Sequence, residues 1–380
     1  MILGINASRG RSGGARAHLI GILSEGDPQA QGIRAVHVWS YGTLLDALPD
    51  RPWLVKHRTP ALEKSLAWQV LWERFSLPGA LRRAGCTMLL NVDAGTVSRF
   101  RPAITMSRDM LSYEPGELQR LRLGRAWLRV WLLRSMQNRS LRAAQGSIFL
   151  TRYASEVIQR SCGPLPNQAL IPHGVGEAFR RAAPRAAWPA PGSRPIRCLY
   201  VSPVWLFKHQ GVLVRAIMRL RQRGHDIVLT LAGDGDTEAQ DLLAQQIAQS
   251  DPDGSVVSRL GHVPHGGLPA VLAAADIFVF ASSCENMPNT VLEAMAVGLP
   301  IACSDRGPMP EVLADGGVYF DPEDDAAIAN AVETLITDAA LRQRSACRAR
   351  ALASAYSWAR CARETFAFAK RTQALVQAGR

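Results

Sequence analysis

Two glutamates, Glu285 and Glu293, have the type and spacing to do chemistry, with seven residues between them. The apolar run at residues 277–280 predicts a strand just before Glu285, and the apolar residues around Glu293 predict a helix start. Glu285 is therefore expected on a loop at the carboxyl edge of an open parallel sheet, where ligands bind. Amides at the helix start favour an anion such as pyrophosphate. Glutamates beside that anion are placed to accept hydrogen bonds from sugar hydroxyls.

Each glutamate also has a purely structural interpretation. Thr290 and Glu293 have the spacing of a capping box, in which the glutamate satisfies amides at the helix start. Glu285 is equally compatible with an ordinary loop acid. Because a short motif is only a hypothesis until its context fits, the surrounding chain must decide between these interpretations.

The length and composition of the chain predict two folded domains. Its 380 residues are long for one domain, and 47% of them are hydrophobic, which is enough for two cores. No run of about 18 apolar residues lacks a charge, so no membrane-spanning helix is expected. At the start of the chain the apolar residues precede the charges, which predicts a first strand rather than a signal peptide. The seven cysteines show no metal-binding spacing and are typical of free thiols in a reducing cytoplasm.

The net positive charge lies entirely in the first half of the chain. Residues 1–180 hold 24 Lys and Arg against 12 Asp and Glu, whereas the remainder holds 20 of each. The densest basic stretch, residues 118–155, contains no acid and carries Trp127, Trp131 and several leucines at helical spacing. Such a basic amphipathic helix predicts contact with an anionic membrane surface. The alternative is a buried Trp/Leu stripe behind a solvated arginine face. Nucleic acid is not expected as a partner, because no nucleic-acid-binding module is visible.

Strand and helix patterns alternate through both halves, which is typical of doubly wound parallel sheets. The second half has the cleaner alternation, with predicted strands at 196–201, 226–232, 256–260, 276–281 and 300–303. The first half has predicted strands at 2–6, 35–39, 88–92, 103–106 and 147–150. We therefore predict an α/β protein in which two Rossmann-like domains face each other across a cleft.

A proline-rich stretch separates the two halves. Residues 182–195 contain four prolines and little apolar periodicity, which predicts an interdomain linker. The predicted organisation is an N-terminal Rossmann-like domain over 1–180, a linker over 181–195, a C-terminal Rossmann-like domain over 196–355, and a C-terminal helix over 356–380 that crosses back to the first domain.

Further positions have a backbone or side chain suited to an anionic ligand. Gly13 and Gly14 stand between the first strand and the first helix, where glycines let the backbone approach a phosphate, although an ordinary tight turn is the alternative. Lys208 follows the strand at 196–201 and is placed to neutralise a diphosphate leaving group, with a solvated loop lysine as the alternative. Residues 234–236 have the D-x-D spacing of some metal sites, but a strand-to-helix turn explains them more simply. No metal site is predicted.

Together these motifs resemble the group 1 glycosyltransferases, family 4, which have the GT-B fold. The resemblance covers most of the chain and is strongest from about Ile196 to Asp321. The matching elements, in chain order, are Gly13-Gly14, Ile171-Pro172-His173-Gly174, Lys208, the Ala-Gly-Asp-Gly turn at 232–235, and Glu285 with Glu293. Each motif is modest, but their order and spacing together are specific.

The resemblance implies a nucleotide-sugar donor and a role for each matching residue. Glu285 would contact hydroxyls of the donor sugar, Glu293 would bind the nucleotide ribose, and Lys208 would hold the diphosphate. The first domain would take the acceptor and the second the donor. The implied donor-binding set is Gly13, Gly14, Ser202, Lys208, Asn286, Met287, Pro288, Asn289, Thr290 and Glu293. The family needs neither metal nor other cofactor.

The chain departs from the family pattern at three places. Asn286-Met287-Pro288 stands where many members have Gly-Phe-Gly, and Ser202-Pro203 stands where many have an arginine. Phosphate binding is therefore expected to depend more on Lys208 and backbone amides. The His-Asp pair that many members carry in the first domain is also absent. We predict that Asp109 replaces it and acts with Glu285 as a catalytic residue.

The function that the resemblance implies is transfer of a sugar with retention of anomeric configuration. The expected acceptor is a lipid-linked or growing cell-surface glycan, of the O-antigen, capsule or exopolysaccharide type. The basic first domain places the expected enzyme in the cytoplasm, peripherally at the inner face of the membrane. One alternative is a GT-B-like sugar-nucleotide epimerase, which needs acid–base residues that the sequence does not place. Another is a non-catalytic sugar-nucleotide-binding subunit, against which the presence of Lys208, Glu285 and Glu293 argues.

Overall fold

The computed structural model describes residues 1–9, 13–120, 124–183, 188–190 and 192–379 and divides the chain into two compact units. The first unit comprises residues 1–174 together with 357–380, and the second comprises residues 175–356. None of the helices in the described ranges is both long and apolar enough to cross a membrane.

The first unit is built on a seven-stranded parallel sheet. Its strands are β1 (Ile2–Asn6), β2 (Ala35–Ser40), β3 (Leu54–Arg58), β4 (Met88–Asn91), β5 (Ala103–Met106), β6 (Gly146–Phe149) and β7 (Gln168–Leu170). Their spatial order is 3-2-1-4-5-6-7, so the direction of winding reverses between β1 and β4. Asn6 and Asn91, the last residues of these two central strands, lie opposite each other in the register.

Helices accompany this sheet along the chain. They are α1 (Gly13–Glu25), α2 (Gly42–Ala47), α3 (Leu66–Leu71), α4 (Leu77–Arg83), α5 (Glu117–Arg120), α6 (Arg125–Ala143) and α7 (Arg152–Cys162). A π-helical turn, Trp72–Ser76, joins α3 to α4 without a break. Such turns are rare and occur frequently at functional sites.

The second unit repeats the same plan with six parallel strands. They are β8 (Ile196–Val201), β9 (Ile227–Ala232), β10 (Val257–Gly261), β11 (Ile277–Phe280), β12 (Ile301–Ser304) and β13 (Val318–Phe320), in the order 10-9-8-11-12-13. The helices are α8 (Glu177–Arg181), α9 (Gln210–Gln222), α10 (Thr237–Ser250), α11 (Leu268–Ala273), α12 (Asn289–Val297), α13 (Met309–Leu313), α14 (Asp325–Thr337) and α15 (Ala339–Ala353). The prediction of two doubly wound, Rossmann-like units is confirmed.

The central strands are mostly apolar because helices cover both faces of a parallel sheet. All four residues of β11, Ile277 to Phe280, are at most 2% exposed. Asp236 and Asp324 cap α10 and α14 by accepting hydrogen bonds from amides of the first turn. The buried apolar strands and the capped helices therefore fix where the connecting loops begin and end.

The last helix, α16 (Trp358–Ala378), lies in the first unit, where it packs against α1. A Cβ on Gly21 of α1 would overlap the Trp358 ring, so only glycine permits this approach. The boundary between the units falls after Gly174, before the linker predicted at 181–195, because α8 packs against α12 of the second unit. Residues 184–187 and 191 of that predicted linker lie outside the described residues.

The turn after β9 approaches the loop after β8 closely. Gly233 has φ +133°, a conformation that side chains rarely adopt, and a Cβ there would overlap the Ser202 carbonyl oxygen. A Cβ on Gly235 would overlap the Val204 carbonyl oxygen in the same way. These two glycines therefore set the path of the loop that leads from β8 to Lys208.

Replacing Gly233 with alanine should destabilise the second unit. We expect a loss of about 2–4 kcal/mol, from overlap and backbone strain, and a thermal midpoint lower by roughly 5–10 °C. Gly254→Ala is the matched control, because Gly254 also has positive φ, +63°, but open space around it. Equal midpoints for the two variants, measured by differential scanning calorimetry, would contradict the close approach.

Candidate active site

The switch point of the second sheet brings Lys208 and Glu285 together. Strand order reverses between β8 and β11, and the loops leaving such a pair of strands flank the crevice where ligands bind. Lys208 lies on the loop after β8 and Glu285 on the loop after β11. The Lys208 Nζ forms an ion pair with the Glu285 Oε1. Two residues that the sequence analysis selected separately are thus in direct contact.

Lys208 is held firmly by its surroundings. It ends a short 3-10 helix, Leu206–Lys208, and its carbonyl oxygen accepts a hydrogen bond of 2.9 Å from the hydroxyl of Tyr200 on β8. Its ammonium nitrogen lies 5.7 Å from the ring centre of Phe280, the last residue of β11. The side chain is only 9% exposed. The alternative of a solvated loop lysine does not describe this structure.

Further hydrogen bonds join the loops on the two sides of the switch point. The Ser283 amide donates to the Phe207 carbonyl oxygen at 2.9 Å, and the His209 Nε2 lies 2.9 Å from the Ser283 Oγ. Ser202 is buried, and its Oγ accepts a hydrogen bond of 3.0 Å from Gln210 at the start of α9. The two loops therefore form one connected structure around the Lys208–Glu285 pair.

The chain from Glu285 to Glu293 leads directly into the start of α12. Asn286, Met287 and Pro288 are buried, and Asn289 and Thr290 are half-buried. Pro288 is the N-cap residue and makes no side-chain capping bond. The Asn289 and Val291 amides donate to the carbonyl oxygens of Met287 and Pro288, so anion binding at this helix start stays a prediction.

Glu293 contacts a histidine that the sequence analysis did not select. Its Oε1 lies 3.0 Å from the His265 Nε2, and its Oε2 is buried without a hydrogen-bond partner in the described part of the chain. Burial raises the pKa of Glu293, and the hydrogen bond to Glu293 raises the pKa of His265. The capping-box interpretation does not describe Glu293, whose recorded partner is His265. Its second carboxylate oxygen is available to accept a hydrogen bond from a ligand hydroxyl.

The D-x-D segment at residues 234–236 serves the fold. Asp236 caps α10 through the Ala239 amide at 3.3 Å, as a strand-to-helix turn requires. Across the ranges that the structure describes, no three His, Cys, Asp or Glu side chains are grouped as a metal site would need.

The first unit carries the remaining predicted site residues, Gly13, Gly14 and Asp109. Gly13 begins α1, and a Cβ placed on it would meet no atom within 4 Å. Residues 10–12 of the same turn lie outside the described residues. The carboxylate of Asp109, after β5, accepts hydrogen bonds of 3.2 Å from Gln137 and from the Leu111 amide. Burial raises the pKa of Asp109. Both of its oxygens have partners in the fold, and its catalytic role stays a prediction.

A buried polar cluster lies next to Asp109; His173 of this cluster stands in a motif that the sequence analysis matched, but the cluster itself was not predicted. The rings of His18 and His173 are centred 4.8 Å apart, and Trp358 lies within 5.9 Å of both. Arg108 has Nε and Nη1 buried without a partner among the described residues, and burial lowers its pKa to about 10. Burial and, secondarily, His173 and Arg108 hold the pKa of His18 well below its usual value. The three polar residues come from α1 and from the loops after β5 and β7, so no sequence spacing reveals them.

Comparison with known proteins finds a family match for the part of the chain that holds this site. Residues 195–338 match the family described as "Glycosyl transferases group 1". The resemblance predicted from the sequence is therefore confirmed for this part of the chain. The matched range contains Lys208, Glu285 and Glu293.

Individual relatives match parts of the chain. The O-antigen chain mannosyltransferase B of Escherichia coli is 35% identical over 125 residues, which cover 33% of this chain and 32% of that protein. The chain spans about a third to a half of the length of the curated relatives it matches.

Solved structures match the whole chain. Sucrose-phosphate synthase from Thermosynechococcus elongatus has a TM-score of 0.78 at 18% identity, with full coverage of both chains. Anabaena HepE in complex with UDP-glucose has a TM-score of 0.69 at 18% identity, also with full coverage of both. At these identities the likeness establishes the fold, which is GT-B.

The His265–Glu293 contact should make stability depend on pH. The pKa values of both groups are raised in the folded chain, so it binds more protons than the unfolded chain as each titrates. The stability that His265 contributes is therefore present below its unfolded pKa and is lost as pH rises through its raised folded pKa. His265→Gln should lower the thermal midpoint more near pH 6 than near pH 8.5.

The matched control for this measurement is His262→Gln, which changes an exposed histidine three residues away. Its midpoint should follow that of the wild-type protein at both pH values. A His265→Gln effect that is the same at both pH values, or that His262→Gln reproduces, would show that the contact with Glu293 is not responsible.

Proposed function

We propose that this protein is a retaining glycosyltransferase that moves a sugar from a nucleoside diphosphate to a glycan acceptor. The buried Lys208–Glu285 pair at the switch point of the second sheet carries the proposal, within a segment that matches the group 1 glycosyltransferases. A cation at this edge suits a diphosphate, and a carboxylate beside it suits the hydroxyls of the attached sugar. Glu293, with one unpartnered oxygen, suits the ribose hydroxyls.

In this proposal, binding of the donor replaces Glu285 by the diphosphate as the partner of Lys208. In the structure the Lys208 ammonium is neutralised by Glu285. A bound diphosphate takes over the ammonium, and Glu285 is then free to accept hydrogen bonds from the sugar. The bond between the anomeric carbon and the diphosphate oxygen breaks while the acceptor oxygen attacks from the same face, and the departing diphosphate takes the acceptor proton. The proposal includes no metal and no other cofactor. Lys208 and the α12 amides stabilise the negative charge of the departing diphosphate.

The donor is proposed to be a nucleoside diphosphate hexose. HepE, which shares the fold, was solved with UDP-glucose, and the Escherichia coli relative is named a mannosyltransferase. The acceptor is proposed to be a lipid-linked or growing cell-surface glycan, since that relative is named for O-antigen chains and a second relative for amylovoran biosynthesis.

A cytoplasmic location at the inner face of the membrane is also proposed, from the surface of α6. Leu128, Trp131 and Leu132 are 46–53% exposed, and the rings of Trp127 and Trp131 stack with centres 6.4 Å apart. The interpretation of this stripe as a buried core does not fit that exposure. Exposed tryptophan and leucine among arginines suit the boundary between lipid headgroups and acyl chains.

Binding and turnover should separate the roles of the donor-edge residues. We expect one of UDP-, GDP-, ADP- or dTDP-sugars to raise the thermal midpoint of the wild-type protein, and Glu293→Ala to abolish that shift. Lys208→Met and Glu285→Gln should each lower turnover by about 100-fold or more, because each removes charge or orientation needed at the transition state. Proton NMR of the product reports the anomeric configuration. An inverted product, or full turnover by Glu285→Gln, would contradict the proposal.

Membrane attachment should depend on the exposed stripe of α6. The wild-type protein should float with vesicles containing anionic phosphatidylglycerol at low salt and less at high salt, because charge attraction is screened. Trp131→Ser with Leu132→Ser should reduce flotation at both salt concentrations, since it removes the apolar contact. Leu375→Ser, which changes an exposed leucine on α16, is the matched control. Absence of wild-type flotation at low salt would exclude the membrane location.

A further inference from the structure

A groove in the first unit lies apart from the residues discussed so far. It has a volume of about 440 Å³ and runs between the α3–π-helix segment and the second half of α6. The segment just before β5 forms its floor. Four arginines line it, and no acid does: they are Arg74, Arg99, Arg101 and Arg139. An excess of cations in a concave surface raises the local concentration of anions.

The four arginines are not equivalent. Arg101 is committed to the fold, because it donates hydrogen bonds to the carbonyl oxygens of Phe100 at 2.7 Å and Ala143 at 2.8 Å. Among the described residues, no hydrogen bond or ion pair involves Arg74, Arg99 or Arg139. Three guanidinium groups from separate elements thus share one groove with their donors unused.

The wall of the groove contains an unused hydroxyl. Ser140 is only 7% exposed, lies one residue beyond Arg139, and its Oγ has no hydrogen-bond partner in the described ranges. A buried polar atom without a partner carries a free-energy cost that a ligand can remove. Arginine donors and a hydroxyl on one surface match the oxygens of a phosphate or diphosphate.

Exposed apolar side chains flank the groove on the same elements that form it. Leu71 and Phe75 are 49% and 71% exposed and neighbour the groove residues Val70 and Arg74 in the chain. On α6, the exposed stripe at Leu128, Trp131 and Leu132 precedes Arg139 by two to three helical turns. A free phosphate gains nothing from contact with this apolar surface, whereas a phosphate that carries a hydrocarbon chain can bury that chain against it.

We infer that this groove binds the phosphate or diphosphate of a lipid-linked acceptor. The anion lies among Arg74, Arg99 and Arg139, Ser140 donates to it, and the hydrocarbon chain crosses the exposed apolar side chains toward the membrane. This inference rests on the proposed function for the identity of the lipid as acceptor. The anion bound in the groove thus belongs to the acceptor, and the diphosphate of the donor binds separately at Lys208.

Calorimetric titration of the full chain with geranyl diphosphate, inorganic pyrophosphate and geraniol tests the inference. Wild-type protein should bind geranyl diphosphate more tightly than pyrophosphate and should bind geraniol weakly. Arg74→Gln with Arg139→Gln should weaken geranyl diphosphate binding by about tenfold or more, because two charge-assisted contacts are lost. Arg82→Gln with Arg83→Gln is the matched control, since it removes the same charge from exposed arginines of α4 outside the groove.

Several outcomes would overturn the inference. Equal affinity of all three proteins for geranyl diphosphate would show that the groove is not the site. Pyrophosphate binding as tightly as geranyl diphosphate would remove the lipid from the assignment. Binding lost in Lys208→Met but retained in the groove variant would place the ligand at the donor edge instead.

A separate measurement keeps this inference distinct from the proposed function. The nucleotide-sugar that stabilises the wild-type protein should stabilise the groove variant equally, because the variant leaves the second unit unchanged. If the nucleotide-sugar raises the thermal midpoint of the wild-type protein but the groove variant binds geranyl diphosphate as tightly as the wild-type protein does, only the inference about the groove is wrong. Groove-dependent binding without any nucleotide-sugar shift in the wild-type protein defeats the proposed function alone.

Discussion

The ion pair between Lys208 and Glu285 is the interaction around which the candidate site of the second unit is organised. Both side chains are largely buried, and removing two charges from water costs free energy that only close pairing and further hydrogen bonds offset. The Tyr200 hydroxyl and the contact between Ser283 and Phe207 hold the two loops at the separation that this pair needs. In the proposed function, a diphosphate that replaced Glu285 at the lysine would meet a preformed site, because those other contacts do not depend on the pair.

In the first unit a different acid, Glu73, also joins two loops. Glu73 in the π-helical turn is 1% exposed, and its carboxylate accepts hydrogen bonds from Asn6 at the end of β1 and from Thr96 after β4. Arg9 balances its charge at 3.4 Å. A buried carboxylate thus joins the two loops at each switch point. In the first unit it also fixes the turn that presents Arg74, so the groove and the sheet edge share one anchor.

The sequence predicts the central strands well because burial on both faces makes them mostly apolar. Strands β1, β5 and β8 have the predicted bounds. β3 and β13 were missed, since they lie at the sheet edges and carry polar or half-buried residues. At the site, Lys208 and Glu285 could be found because each follows an apolar strand. His265 and Arg108 could not, because their roles depend on partners brought near by the fold.

The two units use their charges in opposite ways. In the second unit, residues 175–356, 20 Asp and Glu outnumber 16 Lys and Arg, and its key lysine already has an internal partner. In the first unit, Arg74, Arg99 and Arg139 converge with no acid lining the groove, so their mutual repulsion is a cost to the fold. A site that keeps its cation paired can exchange it for a transient ligand such as a leaving diphosphate. Cations left unpaired suit an anion that stays bound for longer, and the lipid-linked acceptor that we propose meets that requirement.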